Sequence, residues 1–213
     1  MVRFVTCGGV VAICAALLAG WGCSSAPTRI VPLEIDATAA GQEAMKQYDK
    51  NGDGKIAGDE LDKAPSLKAA IAQIDTSGSK TITAEKITAR ILKWQESKVG
   101  RMNLTCRVSR KKGNTDEPLE GVTVTFEPEK FLGSNMPTCS GVTDKRGTAQ
   151  ILERKVGPDE DQEQFRVPPG FYLVRLTKAG LNIPAKYNTQ TTLGAEVSPD
   201  SANYGGTNFV LDF

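Results

Sequence analysis

Asp49-Lys50-Asn51-Gly52-Asp53-Gly54-Lys55-Ile56-Ala57-Gly58-Asp59-Glu60 is the stretch that decides how this chain is read. Oxygen-bearing side chains stand at its positions 1, 3, 5 and 12, and a glycine stands at position 6. A hard divalent cation takes about 6–8 oxygens at roughly 2.3–2.6 Å, and this spacing lets one tight loop converge them. Asp49, Asn51 and Asp53 offer side-chain oxygens, Lys55 offers its backbone carbonyl, and Glu60 closes the set as a two-oxygen ligand. Gly54 permits the positive φ of the sharp bend. Ala57 has no oxygen, which leaves its vertex to water. The flanks are helical: Glu43 to Gln47 are good helix formers leading into Tyr48, and Glu60 to Ala64 continues as a short helix that Pro65 stops.

The pattern is that of the EF-hand calcium loop, so the expected cofactor is Ca2+, bound with moderate affinity. A second copy starts 26 residues later, at Asp75. Leu67, Ala70, Ile71 and Ile74 precede it with helical spacing, and Ile87, Ile91, Leu92 and Trp94 follow it. Asp75, Ser77 and Ser79 still offer oxygens, but Lys80 replaces the bend glycine and Lys86 replaces the closing carboxylate. The second loop is therefore expected to bind weakly or not at all and to serve the fold. Ile82 aligns with Ile56, where paired hands form a two-residue β-bridge. One helix-loop-helix cannot build a core alone, so residues 36–98 read as a small all-α EF-hand pair with shortened middle helices.

After Gly100 the apolar period changes from about 3.6 to 2. Leu104, Cys106 and Val108 alternate with polar residues. The same holds for Val122, Val124 and Phe126, for Ala149 and Ile151, and for the runs around Phe171–Leu176 and Phe209–Phe213. Strands this dense, without a helix between them, predict an antiparallel β-sandwich over 101–213. The junctions Pro118-Leu119-Glu120-Gly121, Asp144-Lys145-Arg146-Gly147 and Val167-Pro168-Pro169-Gly170 resemble those of transthyretin-like, carboxypeptidase-regulatory-like domains, which implies seven strands. The fold expectation is thus α+β in two domains. The acidic segment 157–164 and the basic stretch Arg107 to Lys112 read as solvated loop and hairpin end.

The N-terminus carries Arg3, an apolar run over Val10–Ala19, and Gly20-Trp21-Gly22-Cys23. It resembles a bacterial lipoprotein signal, which implies cleavage after residue 22, lipid attachment at Cys23 and a tether over 23–35. Of five cysteines, Cys7 and Cys14 leave with that signal; Cys106 and Cys139 remain, as a disulfide or as two buried thiols. The 213 residues contain 26 Lys+Arg, 25 Asp+Glu and no His. Balanced charge, with 11 of each sign in 24–100 and 14 of each in 101–213, supplies no footprint for nucleic acid. Without imidazole there is no His-based catalytic pair or His-ligated metal. The whole resembles planctomycete-type envelope lipoproteins. That resemblance implies a noncatalytic calcium-binding protein, exported and held at a membrane by its lipid. The alternative is an adhesion or scaffold protein whose sandwich binds a protein or glycan.

Overall fold

Asp36 begins the helical half: its carboxylate accepts a hydrogen bond from the Ala39 amide at 2.9 Å and caps α1 (Ala37–Tyr48). The computed structural model describes residues 1, 34–153, 166–200 and 206–213. The signal segment, Cys23, nearly all of the tether and the acidic stretch 157–164 lie outside the described residues. Three short helices follow α1: α2 (Asp59–Asp62), α3 (Pro65–Ala69) and α4 (Ile71–Ile74). Pro65 occupies the first turn of α3, where its missing N–H costs nothing. The longer α5 (Ala84–Glu96) starts at a Thr83 cap and buries Ile87, Arg90, Ile91 and Trp94 on one face. It packs on the Ala37, Ala40, Gly41 and Ala44 stripe of α1. A Cβ on Gly41 would fall 2.5 Å from the Ala84 carbonyl oxygen, so a glycine lets the two helices approach.

The described residues then form eight strands: β1 (Leu104–Lys112), β2 (Thr115–Pro118), β3 (Thr123–Pro128), β4 (Cys139–Val142), β5 (Thr148–Glu153), β6 (Gly170–Thr177), β7 (Gly194–Val197) and β8 (Gly206–Leu211). Seven of them make one antiparallel path in the order β2-β1-β5-β4-β3-β6-β7. Strand β5 is the hinge of this curled sheet. Thr148 to Ile151 pair with β1, while Leu152 and Glu153 pair with β4. The curl brings Phe126 of β3 against Phe209 of β8, with ring centroids 6.5 Å apart. Between β4 and β5, the Gly147 amide donates to the Asp144 carbonyl at 2.9 Å and the Asp144 amide to the Thr148 carbonyl at 2.8 Å, the tight hairpin expected there. The basic end of β1 is balanced across its hairpin, Arg110 lying 2.9 Å from Glu117.

One expectation needs correction. The strands are not all antiparallel, because β8 lies parallel to β1, in register from Thr105↔Gly206 to Arg110↔Leu211. Alternation of apolar residues reports which face of a strand is buried; it carries no information about the direction of the neighbour. Of the two alternatives for Cys106 and Cys139, the structure has the buried free thiols. Cys106 is opposite Ala149 and Cys139 is opposite Glu153, on the two sides of β5. Two strand spacings, roughly 10 Å, exceed the reach of a disulfide, for which Cα atoms must lie within about 7 Å. Burial pushes both thiols up to about 12, so they stay protonated and inert.

Helices and sheet share one core. The Trp94 ring of α5 meets Phe171 of β6 at 4.6 Å, and Tyr48 of α1 meets Phe131 at 6.5 Å. Helix α3 sits directly on β7. Among the described residues no helix is long and apolar enough to cross a membrane.

The α3–β7 contact makes a testable demand. A Cβ on Gly194 would stand 2.2 Å from the Pro65 carbonyl carbon, whereas one on Gly206 would meet nothing closer than the Thr105 hydroxyl at 3.8 Å. Gly194→Ala is expected to cost about 1–3 kcal/mol in urea unfolding, with Gly206→Ala within about 0.5 kcal/mol of the parent. Equal midpoints for the two variants would show that α3 does not press on the sheet.

Candidate metal centre

The loop from Asp49 to Glu60 begins where α1 ends. Asp49 accepts at its carboxylate from three amides of its own loop: Gly52 (2.7 Å) and Asp53 (3.2 Å) on Oδ1, and Gly54 (3.0 Å) on Oδ2. Asn51 Oδ1 accepts from the Asp53 amide at 2.8 Å, and Asp53 Oδ1 from the Lys55 amide at 3.0 Å. Gly52, Gly54 and Gly58 take positive φ (73°, 79° and 52°), which wraps the chain tightly enough for these bonds. Glu60, on the first turn of α2, reaches back so that Oε1 accepts from Lys50 (2.8 Å) and Asn51 (3.1 Å).

The result gathers three carboxylates. One oxygen from each of Asp49, Asp53 and Glu60 lies within 4.8 Å of the others. Ligands about 2.3–2.6 Å from a common cation lie at most about 4.6–5.2 Å apart, so this separation suits a calcium-sized ion. The donor set also suits it: every candidate atom is a hard oxygen. Among the described residues no Lys or Arg forms an ion pair with any of the three, although Lys50, Lys55 and Lys63 are close in sequence.

The second loop repeats the bend and the bridge of the first with different chemistry. Ile56 and Ile82 exchange two backbone hydrogen bonds, of 2.8 and 3.1 Å, setting the loops side by side. The Lys80 amide donates to Asp75 Oδ2 at 2.6 Å, just as the Gly54 amide does to Asp49 Oδ2. Lys80 does so at φ 54°, taking up the bend without a glycine. Ser77 Oγ donates to Asp75 Oδ1 at 2.5 Å, and Ser79 Oγ lies 3.2 Å from both Asp75 oxygens. Lys86 then points its ammonium inward, donating to Asp75 Oδ1 (2.8 Å), Ser79 Oγ (3.0 Å) and the Thr81 carbonyl (2.8 Å). That ammonium, followed by Ser77, holds the Asp75 carboxyl well below the usual carboxylate range.

Two polar clusters that the pattern of the sequence does not show tie this half to the sheet. Glu129, fully buried just after β3, accepts from Tyr48 (3.0 Å to each oxygen), Ser66 (2.5 Å) and Gln47 (3.2 Å). Burial raises its carboxyl, and burial followed by the adjacent carboxylate raises the Tyr48 phenol, so Tyr48 remains a neutral donor. Since Tyr48 precedes Asp49, the first loop residue is anchored to the sheet. On α5, Arg90 bonds Glu196 at 2.5 Å, Asp200 at 2.7 Å and Ser198 at 2.8 Å, and Trp94 Nε1 donates to Glu196 at 3.0 Å. No local signal points to these pairings, because each donor is distant in sequence from the carboxylate it satisfies.

No protein-family model and no curated protein matches this sequence. Among solved structures, 52% of the chain is similar to 29% of the major pilin subunit of Bacillus cereus, at 12% identity and a TM-score of 0.29. Similarly, 53% of it matches 59% of chlorocatechol 1,2-dioxygenase from Pseudomonas putida, at 15% identity and a TM-score of 0.25. The chain thus spans under a third of the pilin's length, and at these values the likeness carries no functional argument.

The Asp75–Lys86 contact has a pH signature. Because folding makes the Asp75 carboxyl more acidic, its stabilising contribution is complete above the ordinary Asp value of about 3.9 and is lost as pH falls through the lower folded value. Asp75→Asn is expected to be less stable than the parent at pH 6, with the deficit in urea midpoint narrowing between pH 5 and pH 3. A deficit that stays constant over that interval would assign the loss to packing instead.

Proposed function

We propose that this chain is a noncatalytic calcium-binding lipoprotein of the cell envelope. In this reading residues 36–98 are an EF-hand pair, residues 101–213 a transthyretin-like sandwich, and Cys23 the lipid carrier. One observation supports calcium above all: Asp49, Asp53 and Glu60 converge within 4.8 Å without a paired basic side chain among the described residues. Mutual repulsion among three carboxylates opposes closure of the loop, and a divalent cation reverses the sign of that interaction. Asp49, Asp53 and Glu60 would hold it, with the Asn51 side chain and the Lys55 carbonyl completing the protein's share.

The ion's role is structural. Asp49 follows Tyr48, whose hydroxyl is fixed on Glu129, so a closed loop steadies the end of α1 where it meets the sheet. Lack of histidine agrees with a noncatalytic role and with an all-oxygen site.

Calcium is expected to raise the melting temperature of the full chain by about 5–10 °C at a hundredfold excess over the dissociation constant. Glu60→Gln should remove most of that shift. No shift in the parent, or an undiminished shift in the variant, contradicts the calcium reading. For the anchor, intact mass of the exported protein is expected to show a chain that starts at Cys23 and carries fatty acyl groups; an unmodified start at another residue contradicts it.

A further inference from the structure

Loop two raises a question that its sequence alone answers only halfway. Lys80 and Lys86 both break the ligand pattern, yet the structure separates their effects. Lys80 leaves the loop's bend intact, with φ at 54° and its amide on Asp75 Oδ2. Lys86 does something else: its Nζ stands where oxygens of loop positions 1, 5 and 7 converge, those of Asp75, Ser79 and Thr81. Three donors of an ammonium meet three acceptors at 2.8–3.0 Å. The Asp75 side chain is 1% exposed and the Lys86 side chain 28%, so the pair is largely shielded from water.

We propose that the Lys86 ammonium is the resident cation of the second loop, and that this one side chain, not the loop backbone, keeps divalent cations out. The loop is thereby held closed without metal. Through the Ile56–Ile82 bridge it presents a finished template to the first loop. The site that removal of the ammonium would open is an oxygen site for a calcium-sized cation, lacking only a closing carboxylate.

The test uses the full chain and calcium itself. In chelator, where the first loop holds no metal in any variant, Lys86→Met is expected to melt at least about 5 °C below the parent, because Asp75 is left buried without its counter-charge. Lys86→Glu supplies the missing carboxylate and is expected to bind one more equivalent of calcium than the parent by isothermal titration. It should also recover in calcium the stability that it lacks in chelator. An unchanged melt for Lys86→Met, or no additional equivalent for a folded Lys86→Glu, overturns the proposal. If Lys86→Glu does not fold without metal, folding on addition of calcium supports the proposal and failure to fold with it counts against it. The increment in stoichiometry also separates this inference from the calcium reading of the first loop, on which it does not depend. A parent that binds none beside a Lys86→Glu that binds one would sink the first-loop reading and keep this one.

Discussion

Ile56 and Ile82 exchange two backbone hydrogen bonds at the centre of the helical half, and neither side chain is exposed at all. This pairing constrains everything around it. Each loop ends in a helix, so fixing the loops side by side fixes α2 and α5, and α5 in turn packs along α1. Neither loop can open without disturbing the other, because the bridge would lose both amide pairs in a water-free interior, where an unmet amide costs about 1–3 kcal/mol. The carboxylate of Glu129 extends the constraint to the sheet, accepting hydrogen bonds from Tyr48 at the end of α1 and Ser66 in α3.

Charge is settled differently at each place where the helices crowd acids together. Glu129 is surrounded by hydroxyl and amide donors. Glu196 and Asp200 face Arg90, and Asp75 faces Lys86. Among the described residues no buried side-chain nitrogen or oxygen lacks a hydrogen-bond partner. The first loop differs, since its three carboxylates accept from backbone amides and, among the described residues, pair with no basic side chain. Side by side, the two loops share one bend and one bridge: position 12 is a carboxylate in one and an ammonium in the other.

Local chemistry made the first loop legible in the sequence, since all five candidate oxygen donors lie within twelve residues and the bend is made at a glycine. The longer strands were legible too, because β1, β3 and β5 alternate apolar with polar residues and β6 and β8 carry continuous apolar runs. By contrast β2, β4 and β7 are four residues each, and Thr115–Pro118 has no buried residue to report. The parallel placement of β8, the separation of Cys106 from Cys139, and the partners of Glu129 and Arg90 depend on contacts between distant residues. No local period encodes such contacts. Lys86 is an intermediate case: its departure from the ligand pattern was visible as a defect, and only geometry shows it as a replacement.

In the proposed reading, two loops that share a bend and a bridge meet their need for positive charge in different ways, one from solution and one from within. Crystals grown in calcium and measured for anomalous scattering test this most directly. The expected map has one peak, about 2.3–2.6 Å from oxygens of Asp49, Asp53 and Glu60, with the Lys86 ammonium on Asp75 in the other loop. Peaks in both loops, or none at the first, would contradict it.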